Sequence, residues 1–309
     1  MLSFNNFPAP GASWRHVWSP AAVLRVRGED ALSFLQGQFS QDLLPPGVRS
    51  AAVYGLWLNH KGRVLGDSFA LVAGPQEVWL ISYYSTANVI RSHLENHIIA
   101  DDVTVEDSTA GWQGVSLGAV AAQAQWGDRL PPPTTFACHE NGFLFCGRRG
   151  GQANWEWLTS GPPPPVPAEA SAVPDISAAR MEQMRIAAGV PAIPTDLGPG
   201  DLPFEGGLDT VAVSSTKGCY LGQEVMARLR TGTIRRRLMR VVGKGPPPAG
   251  LPGPLYQGDK KIGELRSRVA DDAGGFIGLA MVTLLGLSPA APLSDAPGSP
   301  AMMHLGASQ

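Results

Sequence analysis

Proline and glycine, 28 and 37 of the 309 residues, cut this chain into short segments and limit what it can build. Both residues interrupt helices and sheet ladders, so their clustering is more informative than their totals. Three clusters stand out: Pro131 to Pro133, Gly161 with Pro162 to Pro165, and a run from Gly245 through Gly253-Pro254. The last reads as a boundary or a long loop near one. At about 100 to 200 residues per domain, the length favours two or three domains. Apolar residues make up 44% and charged residues 16%, enough for real cores and unlike a disordered chain.

Between the clusters, hydrophobic spacing predicts a mixed α+β pattern. Strand-like runs occupy 22–26, 51–58, 69–72 and 78–82. A helix is expected over 29–42, where Ala31, Phe34, Leu35, Gln38 and Phe39 form one stripe. A second is expected over 85–99, with Ser85 as N-cap and Val89, Ile90, Leu94 and Ile98 inward. An Ala-rich stretch within 114–126 suggests a third. Residues 177–188 read as a helix stopped by Gly189 and Pro191. Residues 190–216 read as loop and 217–229 as a short helix. Short strands at 238–242, 261–266 and 275–282 predict a small closing β-barrel, and the Pro-, Ala- and Ser-rich tail from 288 is expected to fray.

Lys and Arg number 24 against 26 Asp and Glu, so the net charge of -2 sets up no global field toward nucleic acid or anionic lipid. Three cysteines, Cys138, Cys146 and Cys219, are too few and too odd for a disulfide framework and fit a reducing compartment. Residues 1–20 hold no secretory-type apolar run, and no stretch of about 18 apolar residues could span a membrane. A soluble cytoplasmic protein is expected.

The segment Ser215-Thr216-Lys217-Gly218-Cys219-Tyr220-Leu221-Gly222-Gln223-Glu224 is the most informative. A cysteine at the start of the expected helix, two residues after a lysine, sits where dipole and ammonium both favour thiolate. Gln223 falls one turn on, and Glu224 pairs with Arg228 at i,i+4. A buried structural cysteine is the competing reading, because free cysteine is among the most buried residue types. Beyond the motif, Arg228, Arg230, Arg235, Arg236, Arg237 and Arg240 form a local basic patch. It suits a carboxylate tail, an RNA phosphate or an acidic partner, or forms a salt-bridged solvated face. With no aromatics interleaved, a base-stacking surface is not indicated.

Other signals are weaker. His93 and His97 are four apart, but the acid in H-L-E-N-H is misplaced for a metalloprotease helix, which leaves a surface pair. Cys138, His139 and Cys146 fall short of a closed four-ligand zinc set, and no C-x-x-C exists. No permanently bound metal is expected. There is no dinucleotide fingerprint and no P-loop.

The octapeptide K-G-C-Y-L-G-Q-E at 217–224 resembles the signature of the YgfZ-type folate-binding proteins, relatives of the glycine-cleavage aminomethyltransferase. Gly28-Glu29-Asp30-Ala31 with Phe34-Leu35-Gln36-Gly37-Gln38, the stretch 61–67, Arg185 to Pro191 and the strands near 259–280 resemble further family segments in the family's order. The resemblance implies an α+β, GcvT/YgfZ-like ring of subdomains around a central channel with a small C-terminal β-barrel. It divides the chain into an N-terminal folate-binding subdomain over 1–110 and a ferredoxin-like subdomain over 111–175. A return segment carrying the motif follows over 176–235, then the barrel over 236–287 and a flexible tail over 288–309. The implied ligand is tetrahydrofolate or a related reduced folate. The implied role is assistance to iron-sulfur protein assembly or repair, with effects on tRNA modification, through transient contacts with client or assembly proteins. A monomer with no specific nucleic acid and no membrane association is expected.

The resemblance makes Cys219 the functional thiol with Lys217 beside it, and assigns Asp67, Arg185, Tyr220, Gln223, Glu224 and Arg228 to the folate site. The transferases carry a pterin-contacting glutamate where Ala187 stands, and an acid where Gly66 stands. An alanine removes a bidentate acceptor for the pterin donors, so one-carbon or aminomethyl transfer is the alternative and a non-enzymatic role is preferred.

Overall fold

The computed structural model describes residues 13–306 apart from 46, 49, 140, 152, 163–172 and 231. Part of the second proline cluster and the last three residues of the tail lie outside the described residues. Three five-stranded sheets carry the fold, and every strand pairing within them is antiparallel.

The first sheet contains β2 (Ala22–Arg27), β3 (Ala51–Leu58), β4 (Val64–Gly74), β5 (Glu77–Ser82) and β6 (Thr104–Asp107), in the order β3-β4-β5-β2-β6. The helices α1 (Ala31–Gln38) and α2 (Ala87–Glu95) cover one of its faces. Period-two alternation sorts the side chains. Leu24, Val26, Ala70, Val72 and Leu80 point to the helices, while Val23, Phe69, Leu71 and Ile81 point to a second core shared with the next sheet. Buried on both faces, these strands read in sequence as continuous apolar runs.

The second sheet contains β1 (Arg15–Trp18), β7 (Trp112–Gly118), β8 (Phe136–His139), β9 (Gly142–Gly147) and β10 (Asn154–Ser160), in the order β1-β7-β10-β9-β8. Phe136, Phe143, Phe145 and Leu158 meet the first sheet, and α3 (Ala119–Trp126) packs with Val115, Leu144 and Trp157. A third helix was expected within 114–126. The segment instead divides, because Gln113 to Gly118 alternate in register with β10 and only the Ala-rich half turns helical.

The third sheet contains β11 (Arg236–Gly243), β12 (Gly253–Gln257), β13 (Lys260–Ala270), β14 (Phe276–Thr283) and β15 (Met303–Leu305), in the order β12-β13-β14-β11-β15. Leu293 bridges to Met303 and Ser294 bridges to Tyr256, so this short segment joins the two edge strands and closes the barrel. The expected fraying of the tail is corrected through residue 306: β15 pairs with β11, and Leu293 and Met303 are buried.

Helix α4 (Ala178–Ala187) starts at Ser177, whose hydroxyl accepts from the Arg180 amide at 3.2 Å, and ends at Gly189 in the left-handed region (φ 69°). It packs Ile186 against the third sheet. Helix α5 (Gln223–Leu229) is shorter than expected. In α2 the expected inward Val89 is exposed and His93 is buried instead, 6.0 Å from the Trp57 ring, which corrects the surface-pair reading of the two histidines.

Candidate functional site

Two of the candidate segments meet at the tip of the first sheet. The β3–β4 turn carries Gly62 in the left-handed region (φ 65°), and a Cβ there would stand 2.8 Å from Met226 of α5. From the other side, Gly222 (φ 84°) lies so close that a Cβ would come within 2.8 Å of the Asn59 carbonyl oxygen. Glycine is required at both positions. The Leu221 amide donates to Gly37 O at 3.0 Å, which ties the motif to α1 as well.

Lys217 fixes the other end of this loop. Its buried Nζ donates to the carbonyls of Gln36 (2.7 Å), Phe39 (2.8 Å) and Gln41 (3.0 Å), just where α1 ends and its carbonyls lack helical partners. Burial pulls the ammonium down to about 8, with the Asp42 charge acting in the opposite direction. Tyr220 is buried in a core with Leu56, Leu58 and Val64. Between these two anchors Cys219 is exposed. The helix begins only at Gln223, four residues later, so the expected dipole activation of the thiol does not apply, and the ammonium of Lys217 is directed at α1. Glu224 and Arg228 form their i,i+4 ion pair on the exposed face of α5, and Gln223 is half-buried.

Asp67 lies elsewhere, inside the first sheet on β4. Its carboxylate accepts from Tyr54 Oη (2.8 Å), Ser85 Oγ (2.6 Å) and Ser82 Oγ (3.1 Å), and its amide donates to Ser85 Oγ (2.9 Å). Ser85, expected as an N-cap, is instead a ligand of this carboxylate. Burial raises the Asp67 carboxyl above its ordinary value, while Ser85, Tyr54, Arg148 and Ser82 oppose the rise. The same burial, with the Asp67 charge, pushes the Tyr54 phenol well up. Around Asp67 a cleft is lined by Tyr54, Tyr83, Tyr84, Arg148, Arg149 and Arg185, with free space of about 10 Å³, room for about one water.

A second buried acid stands behind the cleft. Glu156 of β10 accepts from Tyr83 Oη (2.7 Å), Asn154 Nδ2 (2.7 Å), Ser116 Oγ (2.7 Å) and Trp18 Nε1 (3.1 Å). Burial raises its carboxyl too, with Arg149 the largest opposing influence. Sequence reasoning missed Tyr54, Ser82, Tyr83, Arg148, Arg149 and Glu156. The one legible signal was an acid at an alternating strand position between Trp155 and Trp157.

Of the expected folate-site residues, the structure places Asp67 and Arg185 on this cleft, whereas Tyr220, Gln223, Glu224 and Arg228 stay with the motif. Arg185 is 1% exposed and is held by Glu182, Asp196, the Val190 carbonyl and Ser267. Ala187 packs toward the barrel, and its carbonyl accepts from Arg240 at 2.7 Å. The expected basic patch is dispersed. Arg236 pairs with Asp201 and Glu205, Arg230 donates to the Ser214 carbonyl, and Arg235 and Arg237 are exposed. Among the described residues, no group of three or more His, Cys, Asp or Glu side chains is placed to hold a metal ion, and no helix is long and apolar enough to cross a membrane.

Known proteins share this architecture. Residues 18–123 match the GCVT N-terminal domain family, and residues 235–296 match the CAF17 C-terminal β-barrel domain. The fold is similar to that of the glycine cleavage system aminomethyltransferase T from Bartonella henselae, with a TM-score of 0.77 at 14% identity over 96% of this chain and 86% of that one. The mouse iron-sulfur cluster assembly factor IBA57 is 32% identical over 78% of this chain and 70% of its own length. The human factor is 30% identical over 89% and 79%. Both relatives are named mitochondrial, which overturns the expectation of a cytoplasmic protein. A GCVT-type N-terminal domain, a closed CAF17-type barrel and this identity along most of both sequences place the chain in the IBA57 family.

Proposed function

We propose that this chain is an accessory factor in the assembly or repair of iron-sulfur proteins, working in the manner of the YgfZ-type folate-binding proteins with Cys219 as its functional thiol. The observation that carries the reading is an exposed cysteine on a loop anchored at both ends, by buried Lys217 on the end of α1 and by Gly222 on the β3–β4 turn. A sulfur presented on a fixed loop can meet the metal or sulfur of a client without reorganisation of the chain. The relatives' names, iron-sulfur cluster assembly factors, support the same reading. The contact is transient and involves client or assembly proteins, and tRNA modification responds only through clients that carry it out.

The ligand we assign to the Asp67 cleft is tetrahydrofolate or a related reduced folate. The residues suit it in kind: a buried carboxylate as acceptor for pterin N–H groups and tyrosine faces for the ring. Entry requires Arg148, half-exposed and held on the face of Tyr54 at 3.9 Å, to turn aside. Transfer chemistry is the lesser reading, because Ala187 offers no acceptor.

Replacing Cys219 with serine tests the role. In cells lacking the factor, Cys219→Ser should leave iron-sulfur enzyme activities at the level of the deletion, while the purified variant melts with the parent. Full restoration by the serine variant would remove the thiol from the mechanism. Calorimetric titration with tetrahydrofolate tests the ligand, and absence of binding at about millimolar concentration would sink the folate assignment alone.

A further inference from the structure

Arg148 and Arg149 follow β9 in the turn that leads to β10, and both line the Asp67 cleft. Arg149 is only 6% exposed. Its guanidinium lies 4.3 Å from the Tyr83 ring centroid and 4.4 Å from that of Trp18, and its buried Nε has no hydrogen-bond partner. The buried Nε of Arg148 has none either. Among the described residues neither guanidinium has an ion pair. Arg185, on the same cleft, is saturated by two carboxylates, a carbonyl and a hydroxyl. The nearby acids reach the pair only through space: Arg148 acts on the charge of Asp67 and Arg149 on that of Glu156, while the hydrogen bonds to those carboxylates come from hydroxyl, amide and indole donors.

A guanidinium taken out of water without an acceptor is costly, and ring faces compensate only part of that cost. Arg149 is such a group, and with half-exposed Arg148 beside it on one cleft it makes a receptor for a group with two or three acceptor oxygens. We propose that Arg148 and Arg149 bind an oxyanion, a carboxylate or a phosphate, carried by the ligand of the Asp67 cleft. Arg149 is the fixed member, clamped between rings of both sheets. Arg148 is the movable one, leaving the Tyr54 face to close on the anion and so opening space beside Asp67.

This inference deepens the folate reading and rests on the cleft being a ligand site, independently of Cys219. In a reduced folate the glutamate carboxylates supply the anion; free phosphate would supply the same chemistry.

Four probes separate the possibilities: tetrahydrofolate, p-aminobenzoylglutamate, inorganic phosphate and 6-methyltetrahydropterin, which lacks any carboxylate. Binding is read by calorimetry and by tryptophan fluorescence, since Trp18 lies against Arg149. Arg148→Ala and Arg149→Lys should each weaken tetrahydrofolate and p-aminobenzoylglutamate about tenfold or more and leave 6-methyltetrahydropterin unchanged. Competition by phosphate would support the proposal with phosphate as a natural source. Binding of p-aminobenzoylglutamate without such competition would support it with a carboxylate. Unchanged anion affinity in an Arg148→Ala variant that melts with the parent would overturn it. So would equal losses for the anionic probes and the uncharged pterin. Pterin binding with no anion binding defeats this inference and keeps the folate reading; anion binding without pterin binding does the reverse.

Discussion

Asp67 is subject to two opposed influences. Burial favours its neutral form, and three hydroxyl donors favour the ionised one; burial prevails, so the folded carboxyl titrates above its ordinary value of 3.8. A folded acid with a raised pKa binds more protons than the unfolded chain between the two values, so stability falls as pH rises through that interval. Below 3.8 both states are protonated and the penalty vanishes. Asp67→Asn removes the charge and keeps the shape. It should therefore raise the melting temperature at pH 7 to 8, by a margin that shrinks toward pH 4, while weakening tetrahydrofolate binding. A variant that melts below the parent at neutral pH would mean that the acceptor exchanged for an amide N–H among three hydroxyl donors outweighs the charge removed. The family octapeptide singled out Cys219 as the proposed functional thiol, and the helix-dipole argument for it loses its geometry because α5 starts later than the spacing suggested. Gly222, in the left-handed region, delays it to Gln223. Arg149 and the partners of Glu156 were illegible for a different reason: their neighbours come from β1, from β7 and from Tyr83 just after β5, and only the tertiary fold brings those together.

At the scale of elements, the β3–β4 turn and the loop before α5 hold each other through two glycines. Gly222→Ala should cost about 1 to 3 kcal/mol, since it combines an unfavourable φ of 84° with a Cβ placed 2.8 Å from a backbone oxygen. Because that loop presents Cys219, the alkylation rate of the thiol should change in the same variant. Thermal melts and an iodoacetamide time course check both, and an unaltered melt with unaltered alkylation would show that the loop is not held there. Strands β2 to β5 and helix α4 were legible because period and punctuation agreed, as at Ser177 and Gly189. Helix α1 was over-read to residue 42, because Phe39 continues the apolar stripe although its backbone is already extended (ψ 138°). Periodicity sees side chains, and here the chain leaves the helix while the next apolar residue still faces the core.

At the scale of the whole molecule, chain order and sheet membership diverge. Strand β1 precedes β2 yet pairs with β7, so the first two sheets are joined at the start of the described chain as well as through the Trp18, Tyr83 and Glu156 network. The general architecture and its C-terminal barrel were legible from the family segments and strand spacing, whereas the tail's part in that barrel was not, because β15 is only three residues long and follows a stretch rich in proline and alanine. Composition marks such a stretch as tail, but its pairing is decided by β11, which has a free edge until β15 arrives. Ending the chain at residue 299 should reopen that edge at Val241 to Gly243 and uncover Leu293, which is fully buried against Met303. Loss of the burial of Met303 and Leu305 amounts to about 3 to 5 kcal/mol. An exposed strand edge also invites pairing between copies. The truncated chain should melt several degrees lower and elute partly as dimer or larger species, most strongly at high protein concentration. A truncated chain that melts with the parent and remains a single species at all concentrations would show that β15 adds nothing to the barrel's stability.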